Sequence, residues 1–169
     1  MKIMFVNPKH HPHSMNFHHC MDIVGVKYSH MPLSLPTLAA LTPADCIIDL
    51  IDENVDAVRL ETDADIIALT GSVPQRKRVF ELADEYRKRG KFVAIGGPIS
   101  FDMPEECKAH ADTVFIGEAE YTWPAFIDDF KQGKQKSIYH QKEFINIDDS
   151  PVPHFHLLKS GQYASGCIQ

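Results

Sequence analysis

The residues with the most chemical promise in this chain sit at the ends of short apolar runs, and most of them have little or no side chain. KIMFVNP closes on Asn7 and Pro8, DIIALTGS on Thr70, Gly71 and Ser72, FVAIGGP on Gly96, Gly97 and Pro98, and TVFIGEAE on Gly117, Glu118, Ala119 and Glu120. Glycine in such a place either supplies a positive φ for a turn or lets a ligand approach the backbone. Amide and hydroxyl groups beside it can hydrogen-bond what arrives. The set describes a shelf for a large, mostly neutral ligand. Three commoner chemistries lack their parts: no G-x-G-x-x-G follows a strand, no G-x-x-x-x-G-K-[ST] phosphate loop occurs, and Asn7 and Thr70 stand where a phosphorylatable receiver domain needs acids.

Other candidates have plainer readings. Six histidines, His10, His11, His13, His18, His19 and His30, fall in one loop. Imidazole is the commonest metal ligand, but no Cys/His spacing of a structural metal site is met, and the loop reads as solvated and polar. Cys20, Cys46, Cys107 and Cys167 are scattered, without C-x-x-C pairing, and read as reduced thiols. Glu118 and Glu120 are read as carboxylates favoured by a helix start rather than as an acid–base pair. Asp49, Asp52 and Glu53 read as a surface edge and turn, and the Trp123, Phe126, Ile127, Phe130 stripe as core.

The elements that position the shelf follow from periodicity. Apolar runs at Lys2–Pro8, Cys46–Glu53, Asp65–Ser72, Phe92–Pro98 and Thr113–Glu120 alternate with amphipathic segments, the pattern of a parallel sheet covered by helices. A short helix is predicted around Leu35–Leu41. Ser72-Val73-Pro74-Gln75 has the form of a capping box before a helix with Val79, Leu82, Ala83 and Tyr86 on one face, and Gly90 ends it. Asp102-Met103-Pro104-Glu105 repeats the capping logic for a short helix ending near Ala109. A further helix carries Trp123 and stops at Gly133. The expected fold is a doubly wound, flavodoxin-like or Rossmann-like α/β domain over residues 1–134, with five parallel strands in the order 2-1-3-4-5 and helices on both faces. Residues 135–169 read as an extended tail or linker. Ligands of such sheets bind above the carboxyl ends of the strands, near the switch point.

Totals narrow the partners. The net charge of −6 and pI near 5.9 leave no basic surface for nucleic acid, and Arg76-Lys77-Arg78 reads as the solvated start of a helix. No apolar run is long enough to span a bilayer and no signal peptide is visible, so a cytoplasmic location is expected.

The succession LPTLAALTP, IDLIDENV, DADIIALTGS, LADEYRKRG, FVAIGGP and HADTVFIGEAEYTWPAFIDDF resembles the cobalamin-binding domain at the N-terminus of cobalamin-dependent radical S-adenosylmethionine enzymes. The tail SPVPHFHLLKSGQYASGCIQ resembles the connector that leads, in that family, to a barrel with a C-x-x-x-C-x-x-C iron–sulfur loop. The resemblance implies a module that binds cobalamin and presents it to a C-terminal barrel of the same polypeptide. That barrel would hold a [4Fe-4S] cluster and S-adenosylmethionine, with methyl transfer or cyclisation as the parent reaction. It implies that Gly96 and Gly97 clear the cofactor's nucleotide tail, that Thr70 and Ser72 hydrogen-bond it, and that Gly117 to Glu120 border the macrocycle or tail. Gly97→Leu is then expected to abolish corrinoid binding without unfolding the domain. The D-x-H-x-x-G motif of many cobalamin carriers is absent. A loop histidine approaching cobalt, or Met15 and Phe17 under the corrin, are the ways left to cover its lower face. The competing expectation is a stand-alone flavodoxin-like regulatory or interaction domain, which the coding sequence after Gln169 would distinguish.

Overall fold

The computed structural model of the protein describes residues 1–11 and 20–166. Its main sheet contains β1 (Lys2–Asn7), β3 (Ile47–Asp52), β4 (Ile66–Thr70), β5 (Phe92–Gly96), β6 (Thr113–Ile116) and β7 (Ile138–His140) in the order β3-β1-β4-β5-β6-β7. Every neighbouring pair is parallel. The first five strands take the expected order. The sixth is a correction: the expected tail turns back after Gly133 and adds β7 beside β6. Three residues, IYH, are too few to show a period. They become a strand because the open edge of β6 offers hydrogen bonds and Tyr139 can stack on Phe115 at 5.4 Å.

The helices are α1 (Met21–Val24), α2 (Ser34–Leu41), α3 (Arg76–Lys88), α4 (Pro98–Asp102), α5 (Pro104–His110) and α6 (Thr122–Lys131). The capping box at Ser72 and Gln75 is present, and it starts a 3₁₀ turn, Val73–Gln75, that runs into α3. Val79, Leu82, Ala83 and Tyr86 form the buried stripe, and Gly90 leaves the helix at φ 71°. The second expected capping motif is corrected. Met103 caps α5 without a side-chain hydrogen bond, because Asp102 closes α4, a helix that begins at Pro98 directly after the glycine pair.

One face of the sheet is covered by α3, α4 and α5, with Met4, Val6, Ile67, Leu69, Val93, Ile95 and Val114 pointing into that layer. The other is covered by α2 and α6, with Ile3, Phe5, Ile66, Phe115, Trp123 and Phe126 at its centre. The expected two-sided burial fails at β3, an edge strand whose Ile47 is 63% exposed. Beyond β7, short 3₁₀ turns lead to β8 (Tyr163–Ser165), which pairs in parallel with β2 (Tyr28–His30) in a separate two-stranded sheet. Leu158 and Tyr163 bury against Met31 and Val55 there. Among the described residues, no helix is long and apolar enough to cross a membrane.

Candidate functional site

The α2/α6 face is unevenly filled. Along β4 and β5 the registered pairs on this face run Ile66 with Phe92, Ala68 with Ala94, and Thr70 with Gly96. Side-chain volume therefore falls from the amino to the carboxyl end of the sheet. The helix α2 rests on β1 and β3, whereas α6 lies against β7 and an aromatic layer in which Trp123 sits 5.3 Å from Phe5 and 5.5 Å from Phe115. Between them the small residues leave a slot of about 330 Å³, walled by Leu35, Leu38, Phe115 and Trp123 and bounded at the carboxyl edge by Thr70, Gly97 and Gly117 to Glu120.

A second cavity of about 430 Å³, with more polar groups in its wall than the slot has, lies over the switch point, where Asn7, Gly71, Ser72 and Pro98 meet His10, Tyr28, His30 and Gln75. Thr70, Leu33 and Ser34 line both cavities, so one wall separates the slot from the shelf. Of the residues expected at the carboxyl edge, all but Pro8 line one of the two. Pro8 contributes its carbonyl, which accepts the Gln75 Nε2–H at 2.5 Å. Ala68 and Ala94, the floor of the slot, were missed in the sequence because an alanine inside an apolar run carries no signal. Their one trace in the sequence is the falling size of alternate residues, Ile66, Ala68, Thr70 and Phe92, Ala94, Gly96.

The glycines divide into two kinds. Gly97 has φ 85°, and a Cβ there would come within 2.6 Å of Thr70 Oγ1. Gly117 has φ 88°, and its Cβ would meet the Gln141 carbonyl at 2.5 Å; one on Gly71 would meet Val79 Cγ2 at 2.6 Å. These three are small because the protein's own chain passes close. Of the four glycines that line the two cavities, Gly96 alone keeps space open, since its added Cβ would find an ordinary contact, Phe115 Cβ at 3.5 Å. Gly97→Leu is therefore no clean test of ligand binding, since it would strain the fold first.

The acidic end of β3 is also corrected. Asp52 is 3% exposed. Its Oδ1 accepts from Asn7 Nδ2 at 3.1 Å and from the Asn54 backbone N–H and Nδ2 at 3.0 and 2.7 Å, and its Oδ2 accepts from the Tyr163 hydroxyl at 2.9 Å. Asn7 Oδ1 in turn accepts from Gln75 Nε2 at 3.2 Å. Burial raises the Asp52 carboxyl above its ordinary range, and these donors offset only part of that. Burial likewise pushes the Tyr163 phenol up, with the neighbouring Asp52 charge adding to it. For Glu53, burial works against the charge, but the Arg78 guanidinium and the Lys9 N–H outweigh it and hold the carboxyl below its usual range. Arg78, expected in solvent, is thus engaged. Together these contacts fasten the loop after β1, the turn before α3 and the strand β8 to one another under the second cavity.

Glu118 Oε2 accepts the Ile145 N–H at 2.9 Å and ties the segment after β7 to the mouth of the slot. The Ser72 hydroxyl is engaged with Gln75 Oε1 at 2.9 Å, within the cap. His10 stacks on Tyr28 with ring centres 5.8 Å apart, and His30 Nδ1 lies 2.8 Å from Ser29 Oγ. No cluster of three His, Cys, Asp or Glu able to hold a metal ion occurs among the described residues. His13, Met15, Phe17, His18, His19 and Cys167 lie outside them.

No protein-family model matches the chain. An uncharacterised methyltransferase of Synechocystis sp. is 30% identical over 172 aligned positions, which take in 100% of this chain and 32% of that protein. The bacteriochlorophyllide d C-8(2)-methyltransferase of Chlorobaculum tepidum is 40% identical over 114 residues, 66% of this chain and 25% of that enzyme. The C-12(1)-methyltransferase of the same organism is 26% identical over 136 residues, 79% of this chain and 30% of that enzyme. Among solved structures, the N-terminal domain of a hypothetical protein of Thermotoga maritima aligns with a TM-score of 0.41 at 26% identity, over 52% of this chain and 75% of that one. The chain is therefore similar to a segment of proteins named as methyltransferases, and it spans about a third or less of the length of each.

Proposed function

We propose that this chain is the cobalamin-binding part of a cobalamin-dependent radical S-adenosylmethionine methyltransferase. The observation that carries the reading is the tapered slot: Ala68, Ala94 and Gly96 keep open an apolar cavity that ends at the carboxyl edge, beside a more polar shelf at the switch point of the sheet. A corrinoid with a nucleotide tail needs that combination, a narrow apolar channel for the tail and a broad polar surface for the ring. The residues present fit such a group, and the glycine motifs that bind the phosphates of a dinucleotide or a triphosphate are absent from the sequence. The methyltransferase names of the relatives support the reaction class.

When bound, cobalamin would supply a methyl-carrying cobalt, while a [4Fe-4S] cluster and S-adenosylmethionine on a further barrel domain would activate the substrate. This chain's own contribution is positioning. Ala68, Ala94 and Gly96 admit the tail, Leu35, Leu38 and Trp123 keep water from it, and Thr70 stands between tail and ring with a hydroxyl for either. Asn7, Gly71, Ser72 and Pro98 form the floor of the shelf. Ala119 keeps the slot's mouth low. The exposed apolar side chains Val73, Phe101, Tyr121, Phe144 and Ile147 follow the carboxyl ends of four neighbouring strands, as expected of a rim that a second domain covers.

The test is a titration of the purified protein and its Ala94→Leu variant with hydroxocobalamin and methylcobalamin, read by visible absorption. Saturable binding by the wild-type chain, weakened at least about a hundredfold in an equally stable variant, is the expected result. Equal binding by both proteins would remove the slot from the reading. No binding up to high micromolar concentration would leave a site completed only by the barrel or a flavodoxin-like domain without this ligand, and the same titration on the full-length protein separates the two.

A further inference from the structure

The interior of the slot offers a ligand almost nothing to hydrogen-bond. Its floor is built on β4 and β5, interior strands whose peptide groups are engaged in parallel ladders with their neighbours, and the side chains on it are Ala68 and Ala94. Leu35, Leu38, Phe115 and Trp123 wall it. Two polar atoms on its lining residues are turned elsewhere: the Thr37 hydroxyl donates to the Leu33 carbonyl at 3.0 Å, and the Trp123 Nε1–H donates to Thr42 Oγ1 at 2.9 Å. Ser34 and Thr70 belong to the wall shared with the shelf. Glu118 and Glu120 stand at the mouth, the first exposed and the second partly so. No Asn, Gln, His, Tyr, Lys or Arg lines the slot among the described residues.

A flat group placed in such an interior leaves unmade whatever hydrogen bonds it brings. Burying a polar group without a partner is costly, whereas burying an apolar edge is favourable. Corrinoids with a complete nucleotide tail occur with different lower bases. Besides the atom that carries the ribose, 5,6-dimethylbenzimidazole brings one ring nitrogen and an edge of two methyl groups, and p-cresol brings no nitrogen at all. Adenine, also flat, two-ringed and of similar size, brings three ring nitrogens and an amino group. We infer that the slot selects the lower base by its polarity: it accepts benzimidazole and phenolic bases and disfavours purines. This rests on the corrinoid reading above and deepens it by naming the class of corrinoid taken and the part of the molecule that is read. The ring and the anionic phosphodiester are common to all three forms, so their meeting with the glutamates at the mouth cancels in the comparison.

The experiment presents the full-length protein and its Ala94→Leu variant with three corrinoids in the same methyl form, carrying dimethylbenzimidazole, p-cresol or adenine. Affinities are measured by equilibrium dialysis, with the corrinoid quantified by its visible absorption, and the thermal unfolding of the variant is checked alongside. A base must leave cobalt to enter the slot, and adenine holds cobalt less firmly than dimethylbenzimidazole does, so a deficit of the adenine form against cobalamin cannot come from coordination. The adenine form binds the wild-type protein at least about tenfold more weakly than cobalamin, and the p-cresol form binds no more weakly than cobalamin. In Ala94→Leu, where the slot is filled, the deficit of the adenine form shrinks below about threefold. If the adenine form matches cobalamin on the wild-type protein, the selection is wrong and the corrinoid reading stands. If its deficit persists unchanged in Ala94→Leu, the slot does not impose it and the assignment is overturned. If none of the three binds, the corrinoid reading falls and the selection falls with it.

Discussion

On the face covered by α3, α4 and α5, the strands β4 and β5 send out Ile67, Leu69, Val93 and Ile95, and the helices answer with Val79, Leu82, Tyr86 and Ile99 until the space is full. On the face covered by α2 and α6, the same two strands send out Ala68, Ala94 and Gly96, and a slot of about 330 Å³ remains. Each strand alternates between these two jobs residue by residue. The full face carries stability, since each large side chain buried there removes apolar surface from water. The tapered face gives up some of that burial and keeps a place for something else. A cavity of this size lined by large side chains on one side and alanine on the other is a built feature, because proteins otherwise fill their interiors to crystal-like density.

The comparison can be broken at its aromatic wall first. Trp123 borders the slot yet also joins α6 to Phe5 and Phe115 and donates its Nε1–H to Thr42 Oγ1 at 2.9 Å. Trp123→Ala is expected to cost about 3–5 kcal/mol in urea unfolding, and a loss under about 1 kcal/mol would mean that the tapered face contributes little to the fold. The glycine pair gives the next largest effect. Gly97→Ala, with its positive φ and the close Thr70 hydroxyl, should cost about 2 kcal/mol or more, whereas Gly96→Ala should stay within about 1 kcal/mol of wild type. Equal losses at the two positions would contradict the division between backbone need and open space. A third pair sets the faces against each other directly: Ala83→Leu on α3 overpacks a filled layer and should cost about 1–3 kcal/mol, while Ala94→Leu enters the slot and should leave the melting temperature nearly unchanged. The smallest effect concerns Asp52. Its folded pKa is raised by burial, so the stability tied to its protonated form is complete below the ordinary value of 3.8 and is lost as pH rises through the folded value. Asp52→Asn escapes that loss, and the melting temperature of the variant minus that of wild type should increase from about pH 4 to about pH 8. A flat difference would show that the hydrogen bonds to Asp52 compensate its charge in full.

Much of the site was legible along the chain because strand ends announce themselves. Apolar runs that stop at Gly, Ser, Thr or Asn mark the carboxyl edge of a parallel sheet, and the topology then brings those edges together. Asn7, Thr70, Gly96 and Glu118, far apart in sequence, gather for that reason. The slot itself was not legible. Its floor is a pair of alanines inside runs whose hydrophobicity is uniform, and whether an alanine faces a filled layer or an empty one depends on where α2 and α6 come to rest. Asp52 misled in the opposite sense: in IDLIDE it looks like one of several surface acids, yet it is buried with partners that include Asn7 on β1 and Tyr163 in β8, at the far end of the sequence.

The sequence by itself determined the class of fold, the order of the first five strands, the capped start of α3 and the edge at which a ligand would sit, because these follow from local periodicity and from the restricted conformations of glycine and proline. Only the tertiary structure decided that the tail returns to supply β7 and β8, that Gly97 and Gly117 serve the chain's own close approaches, and that the open space lies over Ala68 and Ala94. Each of those outcomes depends on which segments meet. That is set by burying apolar surface across the whole chain, and no short stretch of it carries the information.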